Sequence, residues 1–262
     1  MNAEPESVSF DRAAEFYDAT RGFPPGVEAR VAALVASAGA LGTSSRVLEI
    51  GIGTGRIAVP LAQYVRQVAG VDLSAAMLAQ LAAKRGASCI DPVRADASRL
   101  PFADACFDAV LGVHVFHLIP RWREALAEVA RVLRPDGLLL HAADDQSAGG
   151  SSGVSPHRIA ADQGLENVGV PRARLETFPE EEGWRSAVPV QRIRFTRTLE
   201  PQQLIDRMER RYWSATWRLS DEQLALAVAK LRSELLARYG ALDRAVEIQT
   251  GFWVRGYRKP AR

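Results

Sequence analysis

Cysteine is scarce in this chain: Cys89 and Cys106 are the only two among 262 residues. So sparse a pair excludes a disulfide-stapled scaffold, and a reduced, cytoplasmic setting is expected. No apolar run approaches the roughly 20 residues that a bilayer crossing requires, so no membrane partner is expected. The opening Met1-Asn-Ala-Glu-Pro-Glu has no basic segment followed by an apolar stretch, and no secretory leader is expected from it. Charge of one sign is also lacking, since 33 basic and 31 acidic side chains leave a net +2. The basic residues are scattered among acids apart from Arg207, Arg210 and Arg211, which read as a solvated helix face rather than a phosphate-binding patch. No nucleic-acid partner is expected, and no internal repeat is visible. What is present is ample for a core: 47% hydrophobic residues suit one α/β domain with an added helical cap.

The most informative stretch is Val47-Leu-Glu-Ile-Gly-Ile-Gly-Thr-Gly-Arg-Ile-Ala58, an apolar strand running into three glycines and then a helix. Gly51, Gly53 and Gly55 let the backbone turn sharply and approach a ligand with no Cβ in the way, and the next helix can point its free N–H groups into the crevice. A dinucleotide fingerprint, G-x-G-x-x-G, would put its third glycine where Arg56 stands. Glu49 sits two residues before the first glycine; it would repel a pyrophosphate and attract a ligand with a free ammonium group. An ordinary glycine-rich βα turn is the plain alternative.

The pattern E-x-G-x-G-T-G, carried by Glu49, Gly51, Gly53, Thr54 and Gly55, resembles motif I of the class I S-adenosylmethionine (SAM) dependent methyltransferases. Asp72 ends a second predicted strand about 20 residues on, where a ribose diol needs a bidentate acceptor. It could instead cap the following helix, a role Ser74 fits equally. The resemblance implies that Leu73 and Met77 line the adenine, although both also read as core. It further implies that Asp96 accepts from the adenine amino group while the Ala97 N–H meets a ring nitrogen; a turn is the other reading of Asp96. Glu49, Asp72 and Asp96 follow one another at successive βα junctions, the side on which open α/β sheets bind ligands.

A fourth strand, Cys106 to Val113, is introduced by the Phe107-Asp108 pair, and Trp122, Leu126, Val129 and Leu133 recur at helical spacing within Arg121 to Arg134. Pro135-Asp136-Gly137 is expected to end that helix, with a fifth strand from Leu138. The run R-V-L-R-P-D-G resembles the R-V-L-K-P-G-G turn of the methyltransferase type 11 group, which includes ubiquinone and menaquinone biosynthesis-like enzymes. The resemblance covers roughly residues 10 to 145. It implies an α/β fold, a Rossmann-like seven-stranded mostly parallel sheet flanked by helices; past the resemblance, the residues themselves read as a helical cap inserted before the last strand. A single domain over 1–262 is expected, with an N-terminal helical lid at about 8–24, a SAM-binding core at about 40–146 and the cap at about 200–240.

Phe10 to Arg21 reads as a short amphipathic helix. By resemblance to a Y-D-x-x-R segment, Tyr17 would close over the cofactor and Arg21 would reach its methionine carboxylate; a docking helix with Tyr17 as packing anchor is the alternative. Ser147 to Gly153 reads as a lid loop beside the substrate mouth. A helix is expected from Arg172 to Glu182, β alternation from Val188 to Thr198, helices over Pro201 to Trp217 and Asp221 to Tyr239, and a last strand from Ala245 to Arg258. Tyr212, Trp213 and Trp217 could wall a substrate pocket or form the cap's own core, and Arg207 or Arg211 would suit an anionic substrate.

The cofactor implied is SAM, with S-adenosylhomocysteine as product. Its sulfonium is already activated, so the protein must align a nucleophile, exclude water and, where needed, remove a proton. No metal is expected, although Asp144-Asp145 is similar to the acidic cluster of metal-dependent catechol methyltransferases; a capped loop or a substrate contact fits better. His114, just past the fourth strand, is the candidate base, or else helps shape the cofactor pocket. His117 and His141 read as structural. Val113-His114-Val115-Phe116 stands where nucleic-acid amino-methylating enzymes carry N/D-P-P-Y/F/W, so methylation of an O, N or C atom of a small molecule is expected. A SAM-binding protein without methyl transfer is the alternative. An NAD-dependent reductase is disfavoured by Glu49, Arg56 and the lack of a Tyr-x-x-x-Lys pair after the fourth strand. The sequence leaves oligomeric state open.

Overall fold

A computed structural model describes residues 7–145, 155–164 and 167–260. Strands β1 (Arg46–Ile50), β2 (Gln67–Asp72), β3 (Ile90–Arg94), β4 (Phe107–Val113), β5 (Leu133–Asp145), β6 (Arg185–Leu199) and β7 (Val246–Arg258) form one sheet in the order β3-β2-β1-β4-β5-β7-β6. The pairs β1–β2, β1–β4, β2–β3 and β4–β5 are parallel. Val47, Leu48, Ile50, Val110 and Leu111 are fully buried, as strands covered on both faces must be. Chain order reverses direction across the sheet between β1 and β4, the switch point at which open α/β sheets bind ligands.

The helices are α1 (Tyr17–Arg21), α2 (Val27–Ala38), α3 (Ala58–Leu61), α4 (Ala75–Lys84), α5 (Trp122–Val132), α6 (Pro156–Ala161), α7 (Phe178–Glu181), α8 (Pro201–Glu209) and α9 (Asp221–Tyr239). On α5 the expected stripe is buried, with Trp122, Leu126 and Val129 in the core together with Ala125 and Val132. Asp108 of the Phe-Asp pair ties strand ends together, accepting from the Arg46 N–H at 2.7 Å and pairing with Arg134.

Several boundaries differ from expectation, each for a local reason. The helix after the glycines is a single turn beginning at Ala58, with Pro60 inside it. Residues 133–137 belong to β5 rather than to a turn, because a register irregularity between Phe107 and Ala109 lets β4 pair with Leu133 as well as Leu138. The segment from Arg172 to Glu182 is a 3-10 turn at Arg172–Arg174 followed by α7, which restarts ahead of Pro179. Phe10 to Arg21 is likewise divided into a 3-10 turn at Asp11–Ala13 and α1. α8 stops where Arg211 takes a left-handed φ of 54°, and only a 3-10 turn at Ser214–Thr216 follows. α9 spans the expected residues, closed by a Ser220/Gln223 capping box and a left-handed Gly240. The expected lid loop Ser147 to Gly153 lies outside the described residues.

Contacts divide the described residues into two compact units, one within 1–144, 168–193 and 252–262 and the other within 145–167 and 194–251. The second contains the helical insertion between β6 and β7, and its core joins Ile159, Ile205, Met208, Trp213, Leu219, Leu231 and Leu235. Trp213 therefore belongs to that unit's own interior, and Trp217 donates its indole N–H to the Arg211 carbonyl at 2.7 Å. Arg211 donates to the carbonyls of Thr216 and Leu219 and pairs with Asp221, so it is spent on local structure. This corrects the solvated-face reading for Arg211. Arg207 is also half-buried, and burial lowers its pKa. Among the described residues no helix is long and apolar enough to cross a membrane.

Candidate functional site

The glycine turn is cradle-shaped because all three glycines have positive φ: 68° at Gly51, 55° at Gly53 and 79° at Gly55. They are not equivalent. A Cβ on Gly51 would lie 2.6 Å from Val115 Cγ2 and one on Gly55 2.4 Å from Leu81 Cδ1, whereas one on Gly53 would meet nothing among the described residues closer than the Gly51 carbonyl at 4.0 Å. Gly53 is thus the place where the turn faces open space.

Beneath it lies Glu49, 3% exposed, with Oε2 buried and without a hydrogen-bond partner among the described residues. Burial pushes its pKa up to about 8, while Arg56 opposes that rise and Asp72 adds to it. A backbone hydrogen bond from the Ala58 N–H, at the start of α3, also favours its ionised form. A buried carboxyl with one idle oxygen gains most from a cationic group, which would favour its ionised form and satisfy that oxygen.

Asp72 ends β2 beside this turn. Its Oδ2 accepts from the Gly53 N–H and its Oδ1 from the Ser74 N–H, both at 2.9 Å. The helix cap is Ser74, whose hydroxyl accepts from the Met77 N–H, so Asp72 retains lone pairs for another donor. Burial raises the Asp72 pKa against those hydrogen bonds. Leu73 gives its carbonyl to Arg94 at 3.1 Å, and Met77 is 1% exposed in the core. Asp96 forms a turn with Ser98 and an ion pair with Arg121 at 3.2 Å, and Ala97 beside it is buried. Burial opposes the charge of Asp96, yet those partners hold its carboxyl below the usual range.

The N-terminal segment fastens to the same loops. Asp11 accepts from the Ser74 hydroxyl at 2.6 Å and Asp18 from the Thr54 hydroxyl at 2.6 Å, with Lys84 pairing to Asp18. Thr54 is 1% exposed, so its side chain is committed to this latch. Tyr17 packs edge-on against Phe10, with 6.3 Å between ring centroids, and its hydroxyl lies near enough to Arg56 to act on its charge.

Arg56 is the residue whose part the sequence did not disclose. Its guanidinium donates to the Arg21 carbonyl at 2.7 Å, lies 4.4 Å from the Phe23 ring centroid and pairs with Asp144 at 3.2 Å. Burial opposes its charge, and Asp144, Tyr17 and Glu49 more than offset that. Asp144, near the end of β5, also meets His114. The carboxylate Oδ2 is 3.1 Å from His114 Nε2 and the Asp144 N–H 2.7 Å from it. Although burial would raise the Asp144 carboxyl, Arg56 and His114 hold it well below the ordinary carboxylate range. The contact could be sought in the sequence only as a basic residue after the glycines and an acid at a strand end, 88 positions apart.

His114 adopts a left-handed φ of 50°, a conformation costing an L-residue roughly 1–2 kcal/mol and retained where surrounding structure enforces it. The other histidines are different. Burial lowers the pKa of both His117 and His141 to about 3, and His141 sits among Phe116, Phe178 and Trp253. Their folded pKa values lie below the ordinary 6.5, so the stability they contribute is present above about pH 6.5 and declines as pH falls toward 3. His141→Leu is expected to flatten that acid decline in thermal denaturation; a slope unchanged between pH 4 and 6.5 would contradict it.

Four similarities to known proteins bear on this arrangement. Residues 48–141 match the methyltransferase domain family model. A fatty-acid O-methyltransferase of Mycolicibacterium smegmatis is 43% identical over 98 residues, 37% of this chain and 36% of that protein. The chain thus spans little more than a third of the length of the curated relatives it matches first. In fold, it resembles a Haemonchus contortus phosphoethanolamine N-methyltransferase 2 solved with phosphomonomethylethanolamine and S-adenosylhomocysteine, with TM-score 0.55, 21% identity and coverage of 96% of this chain and 58% of that one. It also resembles the cyclase SpnF, with TM-score 0.57, 20% identity and full coverage of both chains. The parallel sheet, the glycine turn at its switch point and the matched segment from Leu48 to His141 agree. Over those residues the chain matches the methyltransferase domain family.

Proposed function

We propose that the chain binds SAM at the β1–β4 switch point and transfers its methyl group to a small-molecule acceptor. The observation that carries the reading is Glu49: a buried carboxylate with an idle oxygen, under a glycine turn open at Gly53. The residues fit the cofactor. Glu49 would take the ammonium group, the turn from Gly51 to Gly55 would lie along the ligand, and Asp72 would accept from the ribose diol while still holding the Gly53 N–H. Asp96 and Ala97 would meet the adenine, with Leu73 beside it. Met77 would support that wall from the core, and Thr54 would act through its latch to Asp18. Tyr17 and Arg21 belong to the N-terminal segment that would close the site, Arg21 being held through its carbonyl by Arg56.

SAM supplies an activated methyl group, which reduces the protein's task to alignment, water exclusion and proton removal. His114, at the mouth of β4, would receive the proton of the acceptor. Fatty acids and phosphoethanolamines, the acceptor classes in the names of similar proteins, make a small organic molecule the favoured substrate class.

Incubation with methyl-labelled SAM and a small-molecule extract tests this reading. Label recovered on an acceptor supports it; tight SAM binding with no label transferred favours a non-transferring SAM protein, a reading that likeness to a cyclase keeps in view. Asp72→Ala is expected to weaken S-adenosylhomocysteine binding by about 1–3 kcal/mol through loss of hydrogen bonds to a charged group. Calorimetric titration of a folded variant with unchanged affinity would remove Asp72 from the site.

A further inference from the structure

We propose that Arg56 receives the carboxylate of the cofactor's amino-acid end, so that the site selects a ligand ending in a zwitterion and rejects one ending in a bare amine. The proposal rests on the SAM reading and adds to it the rule by which the site chooses among sulfonium nucleosides and their thioethers.

The first support is the way the guanidinium is anchored. Both hydrogen bonds of Arg56 leave from Nη1, one to the Arg21 carbonyl at 2.7 Å and one to Asp144 Oδ2 at 3.2 Å. Nε and Nη2 donate to none of the described residues, yet neither nitrogen is sealed from solvent. These two nitrogens form the side-on edge of a guanidinium, a pair of parallel N–H groups that matches the two oxygens of a carboxylate. With the side chain 11% exposed, bulk water satisfies that edge poorly, and unmet donors on a charged group are costly. A role as tether accounts for Nη1 and leaves the fork unexplained.

The second support is placement. Glu49 and Arg56 bracket the glycine turn, one near the end of β1 and the other directly after Gly55, and each acts on the charge of the other. The turn thus offers a carboxyl with an idle oxygen on one side and a guanidinium with an idle fork on the other. Those two groups complement the ammonium and the carboxylate that share one α-carbon in an amino acid. Asp144 does not compete for the fork, since it makes a single bond to Nη1 and shares that oxygen with His114.

The fork is also held still. The Phe23 ring centroid lies 4.4 Å from the guanidinium carbon, while the N-terminal segment and β5 fix Nη1 through Arg21 and Asp144. A rigid planar fork loses little freedom when a carboxylate docks, an advantage that a lysine ammonium does not share. The resemblance gives the carboxylate to Arg21, whose carbonyl is bound to Arg56, so docking of the N-terminal segment and filling of the fork meet at one guanidinium.

Calorimetric titration of the wild type with S-adenosylhomocysteine and with its decarboxylated counterpart, which ends in a primary amine, reads what the carboxylate contributes to binding. The counterpart is expected to bind roughly 10- to 100-fold more weakly, the range for hydrogen bonds to a charged group; equal affinity in the wild type overturns the proposal. In Arg56→Gln the two ligands should bind within about threefold of each other, because the fork is gone. Methylthioadenosine, which lacks the whole amino-acid end, should bind wild type and variant alike. Arg56→Lys keeps a charge beside Asp144 without the fork and should retain only a small part of the preference. Full preference in either folded variant overturns the assignment, and the same titrations on Arg21→Gln then show whether Arg21 is the holder. A fall in affinity for all of these ligands together in a folded variant overturns it as well, since Arg56 would then act on the site only as a tether. Wild-type protein that binds none of them overturns the SAM reading itself, an outcome distinct from loss of the carboxylate preference.

Discussion

Glu49→Gln is expected to remove most of the pH dependence of S-adenosylhomocysteine binding and to weaken binding near pH 8 by about 1.5–3 kcal/mol, the worth of a hydrogen bond to a charged group. In the free protein Glu49 holds a proton up to about pH 8, because burial disfavours its charge. An ammonium group beside Oε2 would favour the ionised form, so binding below pH 8 must expel that proton. Affinity should therefore rise close to tenfold per pH unit between about pH 6 and 7 and level off near 8, where the ligand's own amino group begins to lose its charge. Titration in buffers of different ionisation enthalpy measures the proton directly: nearly one released per ligand at pH 6.5 in the wild type, none in Glu49→Gln. Equal proton release in both proteins would take Glu49 out of the binding event.

The same residue sets a stability trend with the opposite sign to the histidines. The folded pKa of Glu49 lies above its ordinary 4.5, so the folded chain keeps a proton that the unfolded chain gives up. That contribution is full below about pH 4.5 and is lost as pH rises toward 8. A ligand that neutralises the carboxylate should restore it. The thermal shift produced by S-adenosylhomocysteine is thus expected to grow from pH 6 to pH 8.

How far the site was legible follows from where its residues lie along the chain. Glu49 and Asp72 could be located because β1 and β2 are near-continuous apolar runs in which a polar residue stands out, whereas β3 is Ile-Asp-Pro-Val-Arg and Asp96 was located through the family resemblance. The glycine spacing was equally visible, since positive φ leaves a compositional trace. Choosing between Asp72 and Ser74 as helix cap required coordinates, because both are good caps and only the hydroxyl contact to Met77 decides. Arg56 was read as the absence of a glycine, and its ion pair with Asp144 across 88 positions has no local signature. Thr54 was read as part of a ligand motif, but its hydroxyl is taken by Asp18, on a segment whose docking no periodicity encodes. Helix limits failed where tertiary pairing or a single left-handed residue intervened, as at Leu133 and Arg211.

Gly53→Ala and Gly55→Ala should separate ligand binding from folding, since the two glycines share a backbone conformation and differ in what surrounds them. At Gly53 the added methyl group enters open space, and the variant bears only the strain of a left-handed alanine, roughly 1–2 kcal/mol. At Gly55 the same strain is joined by a clash with Leu81 Cδ1 at 2.4 Å and a tight approach to Val59 Cγ2 at 3.1 Å. Leu81 is fully buried, so the neighbour can yield only by disturbing the core around α4. Gly55→Ala is therefore expected to lose about 2–4 kcal/mol of stability. Gly53→Ala should melt within a few degrees of the wild type yet bind S-adenosylhomocysteine at least about 30-fold more weakly, because the methyl group takes the space that the ligand backbone needs to approach the turn. Chemical denaturation and calorimetric titration on the same samples decide the matter. A Gly53→Ala protein that binds as the wild type does would mean that the open side of the turn is not where the ligand lies, and the site would have to be sought elsewhere along the strand ends.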